Sequence, residues 1–259
     1  MSKHIVSVAA ALLGAGALVA ACDLKQPEAG CIVQDTDWYA KYDLKPDSAD
    51  PAGCEAPELI SEKLGVYKFT NPDQPGQTKL TIRPYGLASR GTRDPSDPAL
   101  QTAMGDLSDE PVESFCAATN FVEASVDAAA QADNEETAWD ETEGAVKIAY
   151  TFENVEVYSA PRAPGTQLKG ELTYTVNGCT RKYGVRAMWP AASCDPAEAG
   201  SCGSGSGVNP DFRTECAPNP LYDEAAAEAA EGGEDVPEEL TAKGYCVPVG
   251  EIPAFEDEE

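Results

Sequence analysis

Cysteine offers the most chemistry in this sequence: nine occur, at positions 22, 31, 54, 116, 179, 194, 202, 216 and 246. Histidine occurs once, as His4. Beyond that position no imidazole can activate a serine or cysteine, shuttle a proton or ligate a metal, which excludes Ser-His-Asp and Cys-His catalysis. A thiolate zinc site is a poor match too, because no C-x-x-C pair is present. In Gly203-Ser204-Gly205-Ser206-Gly207 a glycine stands where a G-x-S-x-G elbow needs its serine. No glycine-rich phosphate cradle is present either, so no cofactor is expected. Carboxylates abound, but a paired-carboxylate hydrolase site is set by folded distance, which spacing along the chain does not reveal. Calcium is the more plausible use of these carboxylates. Asp35-x-Asp37, Asp94-x-x-Asp97 and the run from Asp133 to Glu136 could supply oxygens. None fits the EF-hand pattern, with its glycine at the sixth position and its closing glutamate. Solvated acidic loops are the simpler expectation.

The chain opens with Lys3 and His4, followed by a small, apolar, uncharged run from Ile5 to Ala21. That is short for a bilayer span, which takes about 20 apolar residues. A basic start, an apolar middle and small residues before a cut describe a secretory signal. The run closes on Leu18-Val19-Ala20-Ala21-Cys22, which resembles the lipobox of bacterial lipoproteins. The resemblance covers residues 1–22 and implies cleavage before Cys22, diacylation of its sulfur and acylation of the new amino group. One acyl chain holds a protein only marginally, whereas two or three make a durable anchor. The expected place is therefore the bacterial cell envelope, with the membrane as partner through Cys22 and the domain facing the periplasm or the cell surface. The outer membrane is the expected carrier. Asp23, after the anchor, marks inner-membrane retention in enteric bacteria, a rule that varies between lineages. The lone His4 leaves with the signal.

Setting Cys22 aside leaves Cys31, Cys54, Cys116, Cys179, Cys194, Cys202, Cys216 and Cys246, an even set in an oxidising compartment. A disulfide framework is expected. Proximity along the chain favours Cys31–Cys54, Cys194–Cys202 and Cys216–Cys246, which leaves Cys116–Cys179.

The formal net charge of −27 makes nucleic acid an unfavourable partner and disfavours anionic lipid surfaces. The charge is uneven. From Glu215 to Glu259 acidic residues face one basic residue, Lys243, whereas Ala145 to Pro190 holds six basic residues against three acidic ones. Those six are Lys147, Arg162, Lys169, Arg181, Lys182 and Arg186. Solubility is the plain explanation of the acidity; a mildly basic sheet face that meets an acidic partner, or the chain's own tail, is the sharper one.

Periodicity supplies the elements. Val146, Ile148, Tyr150 and Phe152 alternate with polar residues, and the apolar phase then shifts to Val155 and Val157, which predicts a bulge near Glu153-Asn154. Leu168, Leu172, Tyr174 and Val176 line the next strand. Asn177-Gly178 is a hairpin turn, and Tyr183, Val185, Ala187 and Trp189 line the return. Residues 145–189 thus read as a three-stranded antiparallel meander. A hairpin over residues 64–85 precedes it, turning at Asn71 to Gly76. Gly86 to Leu107 reads as loop. Residues 115–131 fit a helix or a strand, with a strand near 118–126 favoured, and the acidic stretch from Asp127 to Glu143 reads as an exposed loop. Tyr150, Tyr174, Tyr183 and Trp189 at period two suit a core, Tyr158 could line a ligand face, and Trp139 suits an exposed contact. Leu221 to Glu231 suits one short solvated helix.

The expected fold is mainly β: an antiparallel sheet or small sandwich, stapled by disulfides. The signal occupies 1–21, a tether with a stapled loop 22–60, the β domain 61–200, and an acidic, less ordered extension 201–259. A non-enzymatic structural or protein-interaction role in the envelope, with a possible protein partner there, is the first functional expectation. A surface binding module for a small ligand, glycan or calcium is the alternative, and a carboxylate-dependent hydrolase the weakest.

Overall fold

The computed structural model describes residues 30–48, 54, 57–70, 73, 77–133, 142–232 and 242–256. Nine strands form the larger sheet: β1 (Thr36–Leu44), β2 (Ser61–Thr70), β3 (Thr78–Pro84), β4 (Ala103–Leu107), β5 (Phe115–Thr119), β6 (Ala124–Ala128), β7 (Val146–Ala160), β8 (Ala163–Val176) and β9 (Cys179–Met188). All pairings are antiparallel, in the order β5-β4-β3-β2-β1-β9-β8-β7-β6, and β5 also pairs with β7. That extra pairing closes a ring. β5 joins β4 through Asp106 and Leu107, and joins β7 through Val155 to Tyr158. β6 lies on the first half of the same long strand, Val146 to Tyr150, so β5 and β6 act as one interrupted strand. The result is an eight-position up-and-down barrel. Closure removes free sheet edges, and at this strand number the interior is just wide enough for side chains.

Alternation explains the filling. Leu64 and Val66 of β2, Leu80 and Ile82 of β3, Tyr150 and Phe152 of β7, and Tyr183, Val185 and Ala187 of β9 are all buried in one core with Trp38. The expected meander is present. Its Asn177-Gly178 turn has φ of 49° and 85°, and its register shifts between Glu153 and Glu156, with Asn154 at φ 50°. The 64–85 hairpin is β2 and β3. Its turn lies largely outside the described residues.

Four expectations are corrected. Residues 36–44 were assigned to a tether, yet they form β1, paired to β2 and β9 near the middle of the sheet. The segment 86–107 contains β4, whose Ala103, Gly105 and Leu107 face inward. The 115–131 stretch is strand as favoured, but broken in two at Asn120, which adopts φ 55°. The described part of the C-terminal extension is folded. It carries a second sheet, ordered β10-β12-β11, of β10 (Ser193–Cys194), β11 (Thr214–Pro218) and β12 (Gly244–Pro248). Helix α2 (Pro220–Gly232) follows β11, much as its Ala/Glu composition suggested; the short α1 (Tyr85–Ala88) follows β3.

This second unit packs on the outside of the barrel. Tyr39 stacks on Tyr245 with ring centroids 4.3 Å apart, and Lys41 pairs with Glu215 at 2.5 Å. Gln167 exchanges two hydrogen bonds with the backbone of Ala254, at 2.8 and 3.2 Å. Arg186 donates to the Pro248 carbonyl at 2.6 Å, and the Arg162 guanidinium lies 3.5 Å from the Phe255 ring centroid. Two of the meander's six basic residues are thus engaged by the chain's own C-terminal unit.

The disulfides are Cys31–Cys116, Cys54–Cys179, Cys194–Cys216 and Cys202–Cys246. None matches the pairing that proximity favours. The reason is closure: the ring brings Cys31 to Cys116 at the start of β5, far along the chain. Sulfurs of Cys194, Cys202 and Cys216 lie within 4.8 Å of one another because two bridges sit side by side, so they are spent as disulfides rather than thiolates. Digestion without reductant should release four linked peptide pairs with this connectivity. A Cys31–Cys54 peptide would refute the ring closure drawn here.

The two ends of the barrel differ. Residues 30–35 lie at the end where β4 finishes and β5 starts: Cys31 donates to the Asp109 carbonyl, and Ile32 to the Ser159 hydroxyl. The other end, where β3 and β6 finish and β7 starts, is the mouth.

Candidate functional site

In β2 the residue in phase with Leu64 and Val66 is Glu62, so the pleat aims a carboxylate inward. It is 8% exposed. The Tyr42 and Tyr150 hydroxyls donate to its Oε1 at 2.8 and 2.9 Å, and the Gly86 N–H donates to Oε2 at 2.8 Å. Burial pushes its carboxyl above the usual range, although all three donors and the nearby Arg90 act in the opposite direction. Burial likewise raises the Tyr42 and Tyr150 phenols, and the Glu62 charge adds to it. A glycine is needed at 86. A Cβ there would sit 2.8 Å from the Tyr150 hydroxyl and block the amide's approach to Glu62.

Beyond Glu62 the chain turns through α1 and a 3-10 turn over Gly91–Arg93. That places Arg90 and Arg93 on the mouth, both on the single carboxylate of Glu143. Arg90 donates from Nε at 2.7 Å and from Nη2 at 2.5 Å, and Arg93 from Nη2. Their other donors reach the carbonyls of Gly86 and Ala129, but Arg93 Nε is buried without a partner. Burial raises the Glu143 carboxyl, and the two guanidiniums outweigh it, holding it below the usual range. Glu143 is itself positioned by a two-bond backbone bridge to Gln131.

These groups line one cleft of about 600 Å³ between the mouth and the second unit. Tyr85, Tyr174, Tyr245, Leu59 and Leu221 give it an apolar wall. Burial raises the Tyr174 phenol to about 12. Of the charged residue types on the lining, three are basic (Lys63, Arg90, Arg93) and two acidic (Glu62, Glu143). A chain of net charge −27 therefore presents a cleft that is not acidic. Mouths of β-barrels are a common place for small-molecule sites.

Most residues singled out from sequence lie elsewhere. Cys22 is outside the described residues, as are Trp139 and all of the 133–136 run except Asp133. Three of the calcium-candidate aspartates, Asp35, Asp94 and Asp97, are engaged by the fold. Asp35 accepts from the Lys68 N–H at 3.1 Å, and Asp97 caps a 3-10 turn through the Ala99 N–H at 2.9 Å. Asp94 accepts from the Ser96 hydroxyl and N–H and from the Asp127 N–H, which lowers its carboxyl. Millimolar calcium is accordingly expected to leave the melting temperature unchanged. A calcium-dependent rise, reversed by chelator, would overturn this reading of the three aspartates. Tyr150 and Tyr183 are core as the period-two pattern suggested, and Tyr158 is buried beside Phe115 and Phe255. Trp189 is half-buried, and Tyr174 reaches the cleft. Glu62, Arg90, Arg93 and Glu143 were not singled out. For Glu62 the signal was there: the alternation of Leu64 and Val66 extended back by two residues.

Comparison with known proteins fits these bounds. The profile of a family described as MlpA matches residues 36–190, from the first residue of β1 to just past β9. A Myxococcus xanthus protein named as a lipoprotein, MlpA, is 42% identical over 263 residues, covering 98% of this chain and 100% of its own. No solved structure matches.

Proposed function

We propose, for a chain that belongs to the MlpA family of lipoproteins, a non-enzymatic role in the cell envelope: a binding module that takes a small ligand into the barrel mouth. The observation that carries it is the cleft of about 600 Å³, with an apolar wall and a few convergent polar groups. Cys22 serves as the acylated anchor, with the outer membrane as the expected carrier. The barrel over residues 36–190 is the binding unit, and the C-terminal unit completes one wall of the cleft.

A carboxylate hydrolase would draw its pair from Glu62 and Glu143. Two arginines hold Glu143, and three donors hold Glu62. Neither is placed to exchange a proton with a substrate, which favours binding over hydrolysis.

Two experiments test the proposal. N-phenyl-1-naphthylamine, a neutral fluorescent probe, should bind at one site, and Ser89→Trp, which fills the exposed lip of the cleft, should abolish that binding without lowering the melting temperature. Equal binding by both proteins would remove the cleft from the function. Separately, Cys22→Ala should move the protein from the membrane fraction to the soluble fraction. Retention on membranes after that change would assign the anchor elsewhere.

A further inference from the structure

We infer that the mouth cleft is an anion site, and that its ligand is a small molecule with one anionic head, a carboxylate or similar oxyanion, on an apolar body. The inference rests on the binding reading above and adds the chemical class.

Two guanidiniums converge on one carboxylate. An arginine fork can take a carboxylate through two parallel N–H donors. Here Arg90 alone gives two donors to one oxygen of Glu143, while Arg93 gives one to the other oxygen and leaves Nε unpartnered. With Glu62 and Lys63 counted as well, the lining carries one more positive charge than its two carboxylates neutralise. The arginine pair also has donor capacity that a single carboxylate does not use. Lys63, at 5.0 Å from the Tyr245 ring centroid, adds a third cation on the same lining. Glu143 thus occupies the site as an internal stand-in for the ligand head. It comes from the far side of a backbone bridge rather than from the barrel core, so its carboxylate can be exchanged without unpacking a strand. Tyr85, Tyr174, Leu59 and Leu221 are the surface that an apolar body would cover.

The field of the whole chain opposes this preference. At −27 it attracts cations and repels anions, so any preference for an anion must come from the local arginines. At about 0.15 M salt the Debye length is about 8 Å, which screens the distant charges and leaves the local ones.

The test uses three probes of one length, decanoate, decanol and decylamine, titrated calorimetrically into the full-length protein at neutral pH and that salt. Decanoate is expected to bind most tightly. Glu143→Gln should strengthen decanoate by about ten-fold or more and leave decanol unchanged; Arg90→Gln should erase the preference for decanoate over decanol. A merely structural role for Arg90 would weaken all three probes alike. Should Glu143→Gln lower the melting temperature, Arg93→Gln gives the same test from the other side, weakening decanoate alone. If decanol or decylamine binds as tightly as decanoate, and the variants leave the ratio unmoved, the anion assignment fails while the binding cleft stands. If none of the three binds, both fail. A fourth probe, 3-phenylpropanoate, separates sources within the class. Tighter decanoate points to lipid-derived acids and tighter phenylpropanoate to soluble aromatic acids, and either result supports the site.

Discussion

Glu62→Leu should cost about 3 kcal/mol of stability, and adding Tyr42→Phe and Tyr150→Phe should recover most of it. The single change leaves two buried hydroxyls and the Gly86 N–H without their acceptor, at about 1–3 kcal/mol for each orphaned group. Relief of burying the carboxylate offsets part of this. Replacing both sides of a buried hydrogen bond by apolar groups is close to neutral, so the triple variant restores most of what the single one loses and leaves only the Gly86 N–H without its acceptor. Urea melts at neutral pH read both. A triple variant as unstable as the single would show that Glu62 is not the acceptor for the two phenols. The same group sets a pH dependence. Its folded carboxyl is raised above the ordinary 4.5, so between 4.5 and its folded value the native state holds the extra proton. Stability from this group therefore falls as pH rises through that window. Glu143, held low by its arginines, has the opposite sign: its contribution is present above 4.5 and lost as pH falls through its folded value. Because the two slopes oppose, the measurement is the difference between wild type and Glu62→Gln. Wild type should gain stability relative to Glu62→Gln as the pH drops towards 4.5.

Removing the Cys31–Cys116 bridge as a Cys31→Ala/Cys116→Ala double variant should have a larger effect. The bridge spans a separation of 85 residues, and loop-closure entropy on that scale is worth about 4–5 kcal/mol. For a chain of this size that is a drop of about 10 °C or more in melting temperature. The Cys194–Cys216 bridge spans 22 residues and should cost less, about 3 kcal/mol. Equal drops for the two would indicate that residues 30–35 detach from the barrel without consequence.

How much of this was legible before the fold depends on whether one face of an element stays polar. The strands from Val146 to Met188 declare themselves because their outer residues are polar. β1 does not, because Tyr39 on its outer face lies under the second unit while Trp38, Ala40 and Tyr42 fill the barrel. With both faces buried the alternation vanishes. β4 is hidden for another reason: its central inward residue is Gly105, which leaves room for the Phe121 ring and carries no apolar signal of its own. Glu62 hides by type, since a carboxylate in an apolar phase reads as the end of a strand. The disulfides follow ring closure, which is a property of strand order and leaves no trace in the spacing of cysteines. Arg90, Arg93 and Glu143 meet through two turns and a backbone bridge, so no periodicity links them.

The opposed ends of the barrel bear on what the protein can sample. The described chain begins at Gly30, at the end away from the mouth, and eight peptide steps separate that residue from Cys22. At about 3.5 Å each they reach about 28 Å at full stretch. If Cys22 is the anchor, as proposed, Gly30 lies within that reach of the leaflet and the mouth lies at the opposite end of the barrel. On that reading, a ligand for the mouth would come by three-dimensional diffusion from the surrounding fluid rather than from the leaflet that holds the anchor.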